Sequence, residues 1–398
     1  MKTITIIGGG SSAHVLIPLL SKTGLKVNLM TRSPEKWANV IQLDYQKTSG
    51  EIIDTFEGEL SRISAYAAEV IPDSDIIILC MPVHAYRLSL HAIAPYINKN
   101  KKVFVGTVYG QAGFNWMTEE ISREFSLEKI TTFAFGLIPW ICRTAEYGKK
   151  GIIYGAKPLN IAAVHPKEDF DELNEKLFSK ITYDWFEKGE FRQADNFLSL
   201  TLSADNQIIH TARLFGLFLE EGGVWDEKID VPYFYRDFTK KSADILKDLD
   251  EDFSLIRNRI IEMCPDREFT FMLDYMALDR NTNMTENVTV LDTFRNSESL
   301  DAIKTPVIKV RDKWMINKNN RFFLDDIFYG LCIVKSLAEK LEIPVIHIDG
   351  LLDWTQQLLG EKIIEVDKLV IWEQVAADRF KFGVPEAYGY TMLTQIID

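Results

Sequence analysis

A doubly wound α/β fold joined to a mainly α-helical second domain is what this 398-residue chain predicts, and three observations carry that expectation. A short apolar strand from Lys2 to Ile7 runs directly into Gly8-Gly9-Gly10 and then into a helix start at Ser11-Ser12-Ala13. Apolar runs then alternate with helical stretches through the first half, the pattern of a parallel sheet covered by helices. Near residues 185 to 192 the texture changes, and long helical periods follow. The chain therefore divides into domains over 1–188 and 189–398.

The opening segment has the Gly-x-Gly-x-x-Ala spacing of a Rossmann-type dinucleotide turn. Gly8 makes the tight turn, Gly10 lets a pyrophosphate approach the backbone, and Ala13 lets the helix lie close to the strand. The first-turn N–H groups face the anion, and Ser11 or Ser12 is placed to cap the helix. Glycines ending a buried strand also serve plain turn geometry, but the position directly after an apolar run favours a cofactor. Pro18 removes a hydrogen bond and predicts a kink. Strands are expected over 26–30, 75–80, 102–106 and 130–135, with helices over 34–48, 84–97 and 115–124 between them. Residues 50–64 read as an inserted pair of short strands, and 151–156 and 159–164 as sheet strands around Lys157-Pro158. In the second half, helical patterns cover 193–220, 231–264, 323–341 and 351–359. A substrate is expected to meet the cofactor in the cleft between the halves.

The end of the second strand bears on the coenzyme. An NAD site places an acid there, about 20 residues past the glycines, to hold the ribose hydroxyls. This chain reads Met30-Thr31-Arg32-Ser33, with no acid, and Arg32 and Ser33 offer charge-assisted contacts to a 2′-phosphate. NADP(H) is therefore favoured over NAD(H), which stays open. Thr31 and Pro82, the latter just past the strand at 75–80, complete the expected cofactor contacts.

A net charge of −13 without a basic stripe argues against nucleic acid as a partner. No run approaches the ~18 apolar residues of a membrane span, and the N-terminus lacks signal-peptide form, so a cytoplasmic enzyme is expected. Cys80, Cys142, Cys264 and Cys332 are widely spread, with no His at metal-ligand spacing, and neither a metal site nor a disulfide framework is expected. The partners expected are small molecules, and a homodimer is compatible with the sequence.

Three blocks are too specific for packing alone: Val108-Tyr109-Gly110-Gln111-Ala112-Gly113-Phe114, Pro139-Trp140-Ile141-Cys142-Arg143, and Asn320-Arg321 through Asp326. With Gly8-Gly9-Gly10, Ala13-His14, and Asn206 four residues before His210, they make the chain resemble the octopine/nopaline (opine) dehydrogenase family from residue 3 almost to its end. The resemblance implies reductive condensation of an amino-acid amine with a 2-keto acid such as pyruvate, driven by NAD(P)H. It also implies that His210 and Asp326 are the catalytic pair, that Arg321 binds a substrate carboxylate, and that Gln111, Cys142 and Asn206 lie at the substrate. A histidine of near-neutral pKa oriented by a carboxylate suits such proton transfers. Taken from the residues alone, His210 reads more readily as a hydrogen-bonded core histidine, and Arg321-Asp325 fits an ordinary i,i+4 ion pair.

One departure bears on the substrate: arginine-using members of the family carry an acid where this chain has Gly136. The amine-side pocket is expected from the helical half, where Trp225, Tyr233, Phe234 and Tyr235 cluster. The competing reading is a 6-phosphogluconate- or ketopantoate-like NADP-dependent reductase of related architecture, or a non-catalytic dinucleotide-binding protein. The former relatives work with a lysine for which no motif is found here.

Overall fold

The computed structural model describes residues 1–397 apart from 298, 299 and 302. Its chain forms two compact units, Met1–Thr201 with Thr282–Met284, and Leu202–Asn281 with Thr285–Asp398.

The first unit is built on an eight-stranded sheet in the order Glu190–Gln193, Leu159–His165, Ile130–Phe135, Val103–Thr107, Ile76–Leu79, Thr3–Ile7, Lys26–Met30, Arg62–Ser64. All neighbours are parallel except Leu159–His165, which runs antiparallel to Ile130–Phe135. Helices on both faces explain why the central strands read as unbroken apolar runs: every residue of Ile76–Leu79 is buried. From Thr3–Ile7 the chain goes first to Lys26–Met30 on one side and later to Ile76–Leu79 on the other, which makes the end of the first strand the switch point of the sheet.

A second sheet, ordered Ile52–Glu59, Val40–Gln46, Lys150–Ala156, Trp140–Glu146, lies over the first helix, Ser11–Ser21. A Cβ at Gly58 would come 2.5 Å from the Pro18 Cα, and one at Gly151 would come 2.8 Å from the His14 Cβ. Bare backbone is what lets these strands cross the helix. The helix itself runs through Pro18.

Several expectations need correction. The helix expected over 34–48 is a short 3₁₀ turn, Pro34–Lys36, followed by the strand Val40–Gln46. Ile41 and Leu43 are fully buried with the more exposed Val40 and Gln42 between them, a period of two that the proline-led start had masked. Of the pair expected over 50–64, one strand joins the second sheet and the other the edge of the first. Lys150–Ala156 likewise belongs to the second sheet. Neither Ser11 nor Ser12 caps the first helix: Gly10 is the N-cap and no side chain caps it. The units divide at Thr201 and Leu202, beyond the expected 188, because Glu190–Gln193 extends the first sheet in parallel with Leu159–His165.

The second unit is mainly helical. Its long helices are Asn206–Glu221, Lys240–Met263 and Ile346–Leu359, with a continuous segment, Arg321–Lys340, whose middle Leu324–Leu331 is π-helical. The expected helix over 193–220 is broken before Asn206. There Ser203 donates to the Phe271 carbonyl and accepts from the Leu273 N–H, which draws the chain out of helical pairing. Residues 231–239 precede the Lys240–Met263 helix as a loop, closed by Thr239, whose side chain accepts from the Ser242 N–H. Among the described residues no helix is long and apolar enough to cross a membrane.

Candidate active site

In the first unit the predicted cofactor residues gather at the carboxyl ends of three neighbouring strands. Gly8 has φ +106°, and a Cβ there would stand 2.4 Å from the Cys80 carbonyl oxygen, so only glycine fits the turn. Its N–H donates to the Met30 carbonyl, tying the turn to the strand that ends at Thr31-Arg32-Ser33. At Gly10 the nearest atom to a Cβ is 3.6 Å away, so the backbone is open to a ligand. With no side chain capping the helix, its first-turn N–H groups suit a pyrophosphate, and the turn fits a dinucleotide. Thr31 is buried, Arg32 is exposed and Ser33 half-buried, while Pro82 lies exposed beyond Ile76–Leu79. Instead of capping, Ser11 Oγ bonds Thr144 Oγ1 at 3.2 Å.

His14 is a structural link that the sequence signalled only as part of a motif. It is wholly buried, donates from Nδ1 to the Gly10 carbonyl (2.9 Å) and accepts the Gly148 N–H at Nε2 (2.9 Å). Burial lowers its pKa, so a neutral ring joins the glycine turn to the hairpin at Gly148.

Gln111 is buried and accepts the Tyr109 hydroxyl at 2.7 Å. Cys142 lies on the strand that crosses the first helix, where burial pushes its thiol up to about 11 against a contact from Ser12. Those two residues sit in the first unit, beside the nucleotide turn and its neighbouring strand end. His91, Glu120 and Glu124 also stand close together in this unit, but Arg87 donates two bonds to Glu120, and the group is explained by ion pairing.

The second unit holds the other predicted residues. The helix Asn206–Glu221 carries His210 inward, 1% exposed, and places Asn206 one turn earlier on the same face. Asp326 comes from the π-helical segment, and its Oδ2 lies 2.8 Å from His210 Nδ1. Close approach of the two helices depends on Gly330, where a Cβ would meet Gln207 Cγ at 2.7 Å. Phe322 stacks on the imidazole at 3.8 Å and 19°, and Phe234 packs edge-on at 5.6 Å. Burial, reinforced by the Arg321 charge, holds the His210 pKa well below its ordinary value, so the ring is neutral at pH 7. Burial, with Asp325 beside it, raises Asp326. Arg321 pairs with Asp325 at 3.6 Å, yet its side chain stays 49% exposed, leaving donors for a carboxylate.

One residue here was expected only as a member of an aromatic cluster, and another escaped sequence reasoning. Tyr235 places its hydroxyl 3.0 Å from His210 Nε2. Arg213, one turn after His210 and fully buried, donates from Nε to the Phe234 carbonyl and from Nη2 to the Tyr233 carbonyl, which fixes the loop bearing Tyr235. Of the aromatic cluster expected at the amine side, Phe234 and Tyr235 adjoin His210, while Tyr233 lies between Arg236 and Lys304.

A nucleotide turn at the switch point of a mainly parallel sheet and a buried His–Asp pair in a mainly helical unit are together the marks of a pyridine-nucleotide dehydrogenase of the two-domain type. Residues 193–359 match the α-helical domain of the NAD/NADP octopine/nopaline dehydrogenases, and residues 3–108 match the coenzyme F420-dependent NADP oxidoreductase family. The chain is similar to the octopine/nopaline dehydrogenases along its length and is an NAD(P)-dependent oxidoreductase. It is 25% identical to the opine dehydrogenase of Haliotis discus hannai over 419 residues, covering 100% of this chain and 98% of that one. The octopine dehydrogenase of Mizuhopecten yessoensis is 24% identical over 418 residues, covering 99% and 98%. An octopine dehydrogenase solved with NADH and agmatine shares the fold, with a TM-score of 0.81 at 21% identity over 100% of this chain and 98% of that one.

Proposed function

We propose that the chain condenses the amine of an amino acid with a 2-keto acid and reduces the resulting imine with NADPH, and that it catalyses the reverse oxidation. The observation that carries this reading is the buried His210–Asp326 pair at 2.8 Å, with Arg321 close enough for its charge to act on both. An amino acid arrives as an ammonium ion and must lose a proton before its nitrogen can attack a carbonyl. A neutral imidazole accepts that proton, and Asp326 holds the ring's tautomer and offsets the imidazolium charge. The same imidazolium protonates the carbinolamine hydroxyl, which leaves as water. Arg321 holds the keto-acid carboxylate by charge-assisted bonds, and Asn206, Gln111 and Cys142 complete the substrate contacts. When bound, the nicotinamide supplies the hydride to the imine carbon.

Gly8, Gly10, Ser11, Ser12, Ala13, Thr31 and Pro82 hold the dinucleotide in this reading, and Arg32 and Ser33 favour a 2′-phosphate, because no carboxylate stands at the end of that strand to bond a ribose hydroxyl. Arginine is disfavoured as the amine donor. The nearest atoms to a Cβ at Gly136 belong to Leu200 and Ile161, a setting that offers a guanidinium little, and the acid of the arginine-using members is replaced by this glycine.

The test is coenzyme oxidation on mixing. NADPH oxidation that needs both an amino acid and a 2-keto acid, with the mass of a secondary-amine product, supports the reading, and His210→Ala then lowers turnover by about 100-fold or more. Oxidation with the keto acid alone would make the chain a simple keto-acid reductase instead.

A further inference from the structure

The acid–base machinery described above leaves a difficulty at the second nitrogen of the imidazole. Nδ1 is taken by Asp326, and Nε2, the atom from which a proton would pass to a substrate, is 3.0 Å from the Tyr235 hydroxyl. Phe322 covers a face of the ring and Phe234 packs against it edge-on, so the side chain is 2% exposed. Tyr235 is different: it is half-buried, the least enclosed member of the row. Its ring is held rather than loose, edge-on to Phe234 at 4.9 Å and stacked on Phe294 at 5.7 Å. The two backbone bonds from buried Arg213 fix the loop from beneath. Asp326, His210 and Tyr235 thus form one hydrogen-bonded row whose outer member is a phenol, a group that both gives and accepts a proton.

We propose that Tyr235 is the proton relay between His210 and the reacting nitrogen. This rests on the reading of the chain as an amine-condensing dehydrogenase. In the condensing direction the substrate ammonium N–H bond breaks as its proton passes to the Tyr235 oxygen, while the phenol's own proton passes to His210 Nε2. The phenol is regenerated, the nitrogen lone pair is freed, and the positive charge rests on the imidazole beside Asp326. In the next step the proton returns from Nε2 through the same oxygen to the carbinolamine hydroxyl, whose C–O bond breaks to release water. Substrate therefore meets the phenol oxygen, and the imidazole stays sealed throughout.

Tyr235→Phe removes one oxygen and keeps the ring that packs on Phe234 and Phe294. With unchanged melting temperature, a fall in kcat of about 30-fold or more and KM values within threefold support the relay. If His210→Ala is inactive while Tyr235→Phe keeps kcat within threefold, or loses activity through KM alone, the relay is wrong and the imidazole acts directly, with the function itself intact. If His210→Ala retains turnover, the amine-condensing reading fails, and the relay with it. A proton inventory of single-turnover imine formation in the unaltered protein decides the matter independently of how the variant folds. A curved dependence on deuterium fraction, two protons in flight, is the expected result, and a linear one overturns it.

Discussion

Arg32 stands exposed at the end of its strand where an acid would select the unphosphorylated coenzyme. A hydrogen bond to a charged group contributes about 1.5–3 kcal/mol, so Arg32→Asp should weaken NADPH binding by roughly tenfold or more and leave NADH within threefold. Fluorescence titration measures both, and equal affinities before and after the change would remove Arg32 from the site. At this scale the sequence was most readable where one residue type has one task. Gly8 sits at φ +106° against a carbonyl, and that constraint is visible in the letters because no other residue meets it. The His210–Asp326 contact joins residues 116 apart and was reached through matched motifs, not through any local pattern. Tyr235 was signalled only as one of an aromatic cluster at the amine side. Its neighbours in sequence are aromatic in the manner of any core, and only the fold shows which of them reaches Nε2.

At the level of elements, the distance between imidazole and carboxylate is set by how closely two helices approach, and Gly330 against Gln207 is the point of contact. Gly330→Ala demands a separation of a few tenths of an ångström, and since misplacement by 1 Å can cost about 100-fold, a fall in kcat of roughly 3- to 10-fold is expected. Overpacking of this kind also destabilises by about 1–3 kcal/mol, readable as a lower denaturation midpoint. A variant with native kcat would show that the pair tolerates the shift. The wider turn of the π-helical segment Leu324–Leu331 buries Asp325 and Asp326 side by side, an arrangement that the i,i+4 spacing of Arg321 and Asp325 does not reveal. The same blindness produced a helix in place of Val40–Gln46: a proline-led start suggested one period, and the alternation that decided the strand became evident only with its burial.

Across the whole molecule, the coarse plan was legible because one periodicity dominates each unit. Apolar runs mark the sheet unit, and 3.6-residue patterns mark the helical one. The position of the divide was less so, since the edge strand Glu190–Gln193 is short and partly exposed and carries little apolar signal. The six histidines are sorted by the same packing: His14 and His210 lie in the interior, His84, His91 and His347 are half-buried, and His165 is exposed. An imidazole-acylating reagent such as diethyl pyrocarbonate should therefore consume the accessible rings first, with turnover holding steady, and inactivation should lag as a slow second phase. Loss of turnover in step with the earliest acylation would mean that the ring beside Asp326 is open to water. Shielded by its aromatic neighbours, this histidine can be silenced readily by mutation and only reluctantly by chemistry from outside, so labelling experiments that report a dispensable histidine would be counting the wrong ones.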